Sequence, residues 1–345
     1  MAEEKTGAAI EIRHLYKIFG ATPAAMVERV RAGLSKTELN KQFGHVLGLN
    51  DINLSIPAGS IQVVMGLSGS GKSTLIRHIN RLIDPTAGEV LVDGTDVVKM
   101  NKEELRQFRR HQTAMVFQKF ALLPHRTVLA NTVYGLEVQG MAKREREDIA
   151  MRWIERVGLK GYENHYPSQL SGGMQQRVGL ARALSNDAPI LLMDEAYSAL
   201  DPLIRVDMQS VLLDLQKEIR KTIVFITHDL DEALRLGDQI AILRDGEMIQ
   251  QGTSQDIVLR PADEYVSNFV KEVNRGKVVQ TRALAEAIGD PAQWPSHTIL
   301  ESDTLEMAAR QFSQTGTERV TVVAQDGRPL GVLTMKRMLE AMVLH

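Results

Sequence analysis

Three short stretches carry residue types that together point to phosphate chemistry. "GLSGSGKST", residues 66 to 74, fits G-x-x-x-x-G-K-[ST] through Gly66, Gly71, Lys72 and Ser73. Glycine lets a loop wrap an anion with no side chain in the way, so that backbone N–H groups face inward and the following helix offers its positive end. In such a loop Lys72 reaches the outer phosphates and the Ser73 hydroxyl supplies an oxygen to Mg²⁺. Leu67, Ser68, Gly69, Ser70 and Thr74 complete the cradle. "ILLMDE", residues 190 to 195, is an apolar run ending on two acids. Asp194 at the tip suits a carboxylate that orients Mg²⁺, and Glu195 beside it suits a general base that polarises water. "LSGGMQQR", residues 170 to 177, places a second Ser-Gly-Gly turn at the head of a helix, through Ser171, Gly172 and Gly173. Alone, such a serine is a helix cap. Two phosphate grips so far apart make little sense for one nucleotide in one chain, but they fit if the second belongs to a neighbouring copy.

Those residues need rigid elements behind them. "SIQVVM" (60 to 65) reads as a short buried strand running into the glycine loop, and "TLIRHINRLI" as the helix that follows it. "AIEIRHLYKIF" begins with strand-like alternation. In residues 21 to 47 the turn residues frame two short helices: Thr22 caps the first, with Pro23 at its first position and Gly33 at its end. Ser35 and Glu38 form a capping box for the second, which Gly44 ends. "TAMVFQ" (113 to 118) reads as a strand within an otherwise helical stretch from about 103 to 187. From residue 188 strands and helices alternate, and Asp245-Gly246 reads as a hairpin turn. Alternation of this kind implies an α/β fold with a largely parallel sheet covered by helices. The pattern changes near residue 272, where we place a domain boundary. Beyond it lie a turn-rich linker with one helix, the helix "DTLEMAARQFSQTG", and a strand–turn–strand–helix unit.

Composition narrows the function classes. The chain has 345 residues, 43% hydrophobic and 24% charged, enough for one large domain and a small one. A net charge of −2 gives no overall basic field, and the basic clusters "RQFRRH" and "KRERED" are mixed with acids on helices, so no nucleic-acid partner is expected. There is no cysteine, which excludes disulfides and thiol chemistry. "MAEEKTGAAIEIRH" lacks the form of a secretory signal, and no stretch approaches the roughly 20 apolar residues that span a bilayer. Work at a membrane therefore calls for a partner.

With these residues in place the chain resembles the ATP-binding cassette of an ABC transporter. "GLSGSGKST" is similar to its Walker A loop, "ILLMD" to its Walker B strand and "LSGGM" to its signature, with Met174 where the family usually has Gln. Gln118 in "VFQ" resembles the Q-loop, "SALD" (198 to 201) the D-loop and His228 in "ITHD" the switch histidine. Phe19 falls where an aromatic residue stacks on adenine. The resemblance covers about residues 10 to 270. It implies a P-loop NTPase domain of the ABC ATPase class with a helical subdomain, binding ATP and Mg²⁺. It further implies two cassettes paired head to tail, each Walker A loop facing Ser171 and Gly173 of the other copy. In that arrangement Glu195 activates water, His228 holds the γ-phosphate side, Ser73, Gln118 and Asp194 serve the metal, Gln118 reports nucleotide state to the membrane partner, and Asp201 couples the two sites.

The helical insertion at 21 to 47, the wording "FALLPH" after Gln118, and "DEAYSALDPLIR" resemble one subfamily: importer ATPases for glycine betaine, proline or choline, grouped with histidine importers. That resemblance implies an integral-membrane permease, a periplasmic or extracellular solute-binding protein, and a peripheral position on the cytoplasmic face of a bacterial inner membrane. Phe120, Leu122 and Leu123 beside Pro124 suit a groove for a permease helix. The tail, about 276 to 345, resembles a small α+β CBS domain, with room for one recognisable unit, so a pair calls for the tail of a second copy. A soluble non-transport cassette ATPase and an ATP-gated regulatory module stand as alternatives. The solute itself leaves no mark on this chain.

Overall fold

The computed structural model describes residues 7–118, 120–198, 200–287 and 294–343. The chain divides into two compact units, Met1–Ile249 and Gln250–His345. Its strands in chain order are β1 (Ile10–Phe19), β2 (Val46–Ile56), β3 (Ile61–Met65), β4 (Ala87–Val92), β5 (Thr95–Asp96), β6 (Thr113–Val116), β7 (Ile190–Asp194), β8 (Thr222–Thr227), β9 (Gln239–Arg244), β10 (Glu247–Gly252), β11 (Thr298–Leu300), β12 (Arg319–Val323) and β13 (Pro329–Thr334).

The larger sheet runs β10-β9-β3-β8-β7-β6. Its pairs β3–β8, β3–β9, β7–β8 and β6–β7 are parallel. Every residue of β3, β7 and β8 is buried, which is why they read as continuous apolar runs rather than as alternation. The register sets Met65 beside Thr227 and Asp194 beside Ile226. The carboxyl ends of β3, β8 and β7 therefore lie side by side, as open α/β sheets place their ligand sites. The second sheet runs β2-β1-β4-β5. One core joins both, with Ile12, Leu54 and Val90 meeting Val64, Leu192 and Ile226, and with Leu75 and Ile79 of the helix Lys72–Ile79 inside it. The helix after the glycine loop is thus fixed by burial on several sides.

The insertion has a small core of its own, in which Met26, Val27, Val30 and Leu39 cover Tyr16, Ile18 and Leu47. The capping box at Ser35 and Glu38 is present and Gly44 ends that helix in the left-handed conformation. Thr22 departs from expectation: its side chain caps nothing. The chain enters through a 3₁₀ turn, Pro23–Met26, and the Thr22 backbone N–H donates to His45 Nε2 at 3.2 Å. The strand expected through Gln118 stops at Val116. Phe120 and Ala121 take positive φ of 57° and 46°, turning the chain away from the sheet. Arg182 holds that turn by donating to the carbonyls of both residues, at 3.0 and 2.7 Å.

The second unit begins before the boundary near residue 272. The helices Ser254–Leu259 and Glu264–Val270 belong to it. Gln255 ties them in, donating to the Val278 carbonyl at 3.1 Å and accepting from the Gln280 N–H at 3.0 Å. Its sheet runs β11-β12-β13 beside the helices Leu305–Thr315 and Met335–Val343. β11 was not legible in the sequence: at three residues it is too short to show a period, and it pairs parallel with β12.

Candidate functional site

The glycine loop starts where β3 ends. Gly66 has φ +150°, and a Cβ there would lie 2.2 Å from the Leu243 carbonyl oxygen. Gly71 has φ +104°, and a Cβ there would meet the Gly48 carbonyl at 2.8 Å. Backbone therefore touches backbone at both ends of the loop, and only glycine fits. Between them Leu67, Ser68 and Gly69 are exposed, while Ser70 is buried with its hydroxyl unpartnered. The helix Lys72–Ile79 opens at Gly71 with no side-chain cap. Its first amides are thus available to an anion. Lys72 is 5% exposed and donates to the carbonyls of Gly66 and Leu67 at 2.8 and 3.1 Å. Burial pushes its ammonium pKa down, against the pull of Glu195 and Asp194. A buried cation over an uncapped helix start is a fitting seat for polyphosphate.

Two acids close the site from β7. Asp194 accepts from the Ser73 hydroxyl at 2.8 Å and from Arg77 Nη2 at 3.3 Å. Glu195 follows with φ +46°, a left-handed position uncommon outside glycine. Its N–H donates to the Ile226 carbonyl at 3.2 Å, and its own carbonyl accepts from Ser198 N and Oγ. Three groups surround its carboxylate: the Gln118 amide donates at 2.9 Å, His228 Nδ1 lies at 3.7 Å and Lys72 Nζ at 3.8 Å. A carboxylate so placed can take a proton from water, with an imidazole near enough to orient it. The Ser73 hydroxyl, the Asp194 carboxylate and the Gln118 amide are all oxygen donors, the set a hard divalent cation takes when phosphate oxygens supply the rest. Among the described residues there is no group of three or more His, Cys, Asp or Glu that could hold a metal ion. Thr74 follows Ser73, and its carbonyl is engaged by His78 Nδ1 at 2.6 Å.

Phe19, at the end of β1, is 41% exposed. Its ring lies over Gly48, where a Cβ would be 2.7 Å from Phe19 Cε2, and Lys17 Nζ stands 5.0 Å from the ring centre. Gly48 in turn abuts Gly71, so an exposed aromatic face stands beside the loop. Ser171 and Gly172 are exposed at the start of the helix Gly172–Ser185, and Ser171 caps that helix by accepting from the Met174 N–H at 3.3 Å. Gly173 lets the helix Pro202–Ile219 approach closely, since a Cβ would lie 2.7 Å from Ile204 Cγ2. Asp201 is exposed and caps that second helix, accepting from the Ile204 N–H at 3.3 Å. The structure thus gathers Lys72, Ser73, Gln118, Asp194, Glu195 and His228, and leaves Ser171, Gly172 and Asp201 facing outward. Arg77 escaped notice in the sequence, although its spacing of one helical turn from Ser73 was a usable signal.

Residues 49–198 match the family model described as ABC transporter, and residues 291–344 that described as CBS domain. The chain is 53% identical over 279 residues to the glycine betaine transport ATP-binding protein OpuAA of Bacillus subtilis, covering 81% of this chain and 67% of that protein. It is 52% identical to the glycine betaine/proline betaine ATP-binding protein ProV of Escherichia coli, covering 80% and 69%. It is 41% identical to the trimethylamine N-oxide ATP-binding protein TmoW of Ruegeria pomeroyi, covering 97% of each. Among solved structures, an ATP-binding cassette dimer in a post-hydrolysis state with ADP and Pi superposes with a TM-score of 0.60 at 33% identity, covering 71% of this chain and 98% of that one. The chain belongs to the ATP-binding proteins of ABC transporters, the ATP-hydrolysing subunits of those systems, and carries a CBS domain at its C-terminal end.

Proposed function

We propose that this chain powers uptake of a quaternary amine or a closely related methylated solute. The relatives' printed solutes, glycine betaine, proline betaine and trimethylamine N-oxide, share a small polar group built on a methylated nitrogen. The observation that carries the ATPase chemistry is the convergence of Gln118, His228 and Lys72 on the Glu195 carboxylate. Loop residues 66 to 74 hold the phosphates, Lys72 neutralises the outer ones, and Phe19 stacks on the base. Ser73, Asp194 and Gln118 hold Mg²⁺, which when bound offsets the charge of the phosphate oxygens. Glu195 takes a proton from the attacking water, and His228 orients that water. Gln118 must first release Glu195, because a carboxylate that accepts an amide bond is a weaker base. The exposed faces of Ser171, Gly172 and Asp201, with Gly173 behind them, serve a second copy of the chain.

The membrane partner docks near the turn that follows Gln118. Elsewhere in the same unit a cavity of about 520 Å³ is lined by Lys102, Arg106, Arg109 and Arg110 together with Leu105, Tyr134 and Val138. Its excess of cations fits an acidic, aromatic-bearing helix of a permease. No described helix is long and apolar enough to cross a membrane, so the chain is held at the membrane, on its cytoplasmic face, by that contact. A solute-binding protein outside the membrane delivers the solute.

The test is purification of the tagged chain from gently solubilised native membranes. A multi-span permease should come with it, and in proteoliposomes that complex should couple ATP hydrolysis to uptake of labelled glycine betaine or trimethylamine N-oxide. Recovery of soluble partners alone ends the transport reading.

A further inference from the structure

His228 is held by its neighbours on both sides. The Thr227 hydroxyl donates to Glu232 Oε2 at 2.6 Å and accepts from the Asp229 N–H at 3.0 Å. Asp229 caps the helix Leu230–Leu236, accepting from the Glu232 N–H at 3.2 Å. Glu232 is buried, and its other oxygen accepts from Gln209 Nε2 at 3.3 Å. The turn that carries His228 is therefore fastened at Thr227 and at Asp229.

A second turn is fastened to the same group. Arg205 sits in the first turn of the helix Pro202–Ile219. Its Nη1 donates to Asp229 Oδ2 at 2.8 Å, and its Nη2 donates to the Leu200 carbonyl at 3.2 Å. Its backbone N–H donates to the Asp201 carbonyl at 2.9 Å. Its Nε is buried, makes no hydrogen bond and lies 3.7 Å from Glu232 Oε1. One planar guanidinium thus spans two loops that are not otherwise joined by these contacts: the turn of buried Leu200 and exposed Asp201, and Asp229, next to His228. Its fork is rigid, so a shift of one loop is passed to the other rather than absorbed in a flexible stem.

We propose that Arg205 is a positioning residue that ties the Leu200–Asp201 turn, through which only Asp201 reaches the surface, to His228, so that closure of a second copy over Asp201 sets the imidazole against the attacking water. This rests on the reading that two copies of the chain hydrolyse ATP between them. Lysine at this position keeps the charge but has one point donor. It can satisfy Asp229 or Leu200 but not hold both at fixed spacing.

The experiment measures ATP turnover against ATP concentration for the full chain, for Arg205→Lys, for Asp229→Asn and for the double variant, with melting temperatures alongside. The expected result is a fall in kcat of about tenfold in Arg205→Lys, with KM within about twofold and an unchanged melting temperature. The Hill coefficient for ATP should drop from above one towards one. The double variant should lose no more than the worse single variant, because both act through one contact. Unchanged kcat and Hill coefficient in Arg205→Lys, additive losses in the double variant, or a loss that follows melting temperature each overturn the proposal. If the unaltered chain shows no ATP turnover, it is the ATPase reading that fails instead.

Discussion

Gln118 donates its side-chain amide to Glu195 at 2.9 Å, across 77 residues of chain. The carboxylate we propose as the base is thus engaged by the residue that leaves the sheet just before the turn at Phe120 and Ala121. Glu195→Gln removes the base while keeping a similar shape. Hydrolysis should fall by about a hundredfold or more, the usual contribution of a positioned general base. With ATP bound and not turned over, two copies should stay together, seen as a doubled mass by light scattering. A variant that hydrolyses at the normal rate removes Glu195 from the base role.

Lys72 is buried, and burial lowers its pKa. A buried ammonium held by two carbonyls contributes little to the empty fold, because desolvation offsets what its bonds return. Lys72→Met should therefore abolish ATP binding, followed by a fluorescent nucleotide, while the melting temperature holds or rises. A lower melting temperature with binding intact would make Lys72 a structural residue.

Phe19 stands half exposed over Gly48. Removal of its ring should cost about 1 kcal/mol of stacking, or roughly a fivefold rise in KM for ATP, with kcat preserved. Gly48→Ala should give a smaller shift of the same kind, since the added methyl displaces the ring. A loss of kcat without a change in KM would assign Phe19 to the fold alone.

His78 lies on the buried face of the helix Lys72–Ile79 and pairs with the Thr74 carbonyl through Nδ1, while its Nε2 is buried without a partner. Burial pushes its pKa from 6.5 down to about 4. The unfolded chain therefore binds a proton there between about pH 6.5 and 4 that the folded chain refuses. Stability from this group is complete above pH 6.5 and is lost as pH falls towards 4, by about 3 kcal/mol. Urea unfolding of the wild type and His78→Asn across this range should show a steeper decline in the wild type. Parallel slopes would mean that the imidazole is protonated in the fold.

Local features were legible because neighbouring residues determine them. The capping box of Ser35 and Glu38, the glycine loop, and the Asp245-Gly246 hairpin with φ of 52° and 90° each follow from a few adjacent residues. The apolar runs of β3 and β7 marked strands for the same reason. Other features were decided only in three dimensions. Ser73 meets Asp194 across 121 residues, because the order β3-β8-β7 sets the ends of these strands together, and periodicity carries no strand order. Thr22 turned from the helix it precedes because a 3₁₀ turn brought its amide to His45. β11 exists only through its pairing with β12. The sequence by itself determined which residues carry phosphate chemistry, since loop, strand tip and helix start are local. The tertiary structure decided which of them share one carboxylate and which face outward, because that depends on contacts between segments whose separation the sequence leaves open.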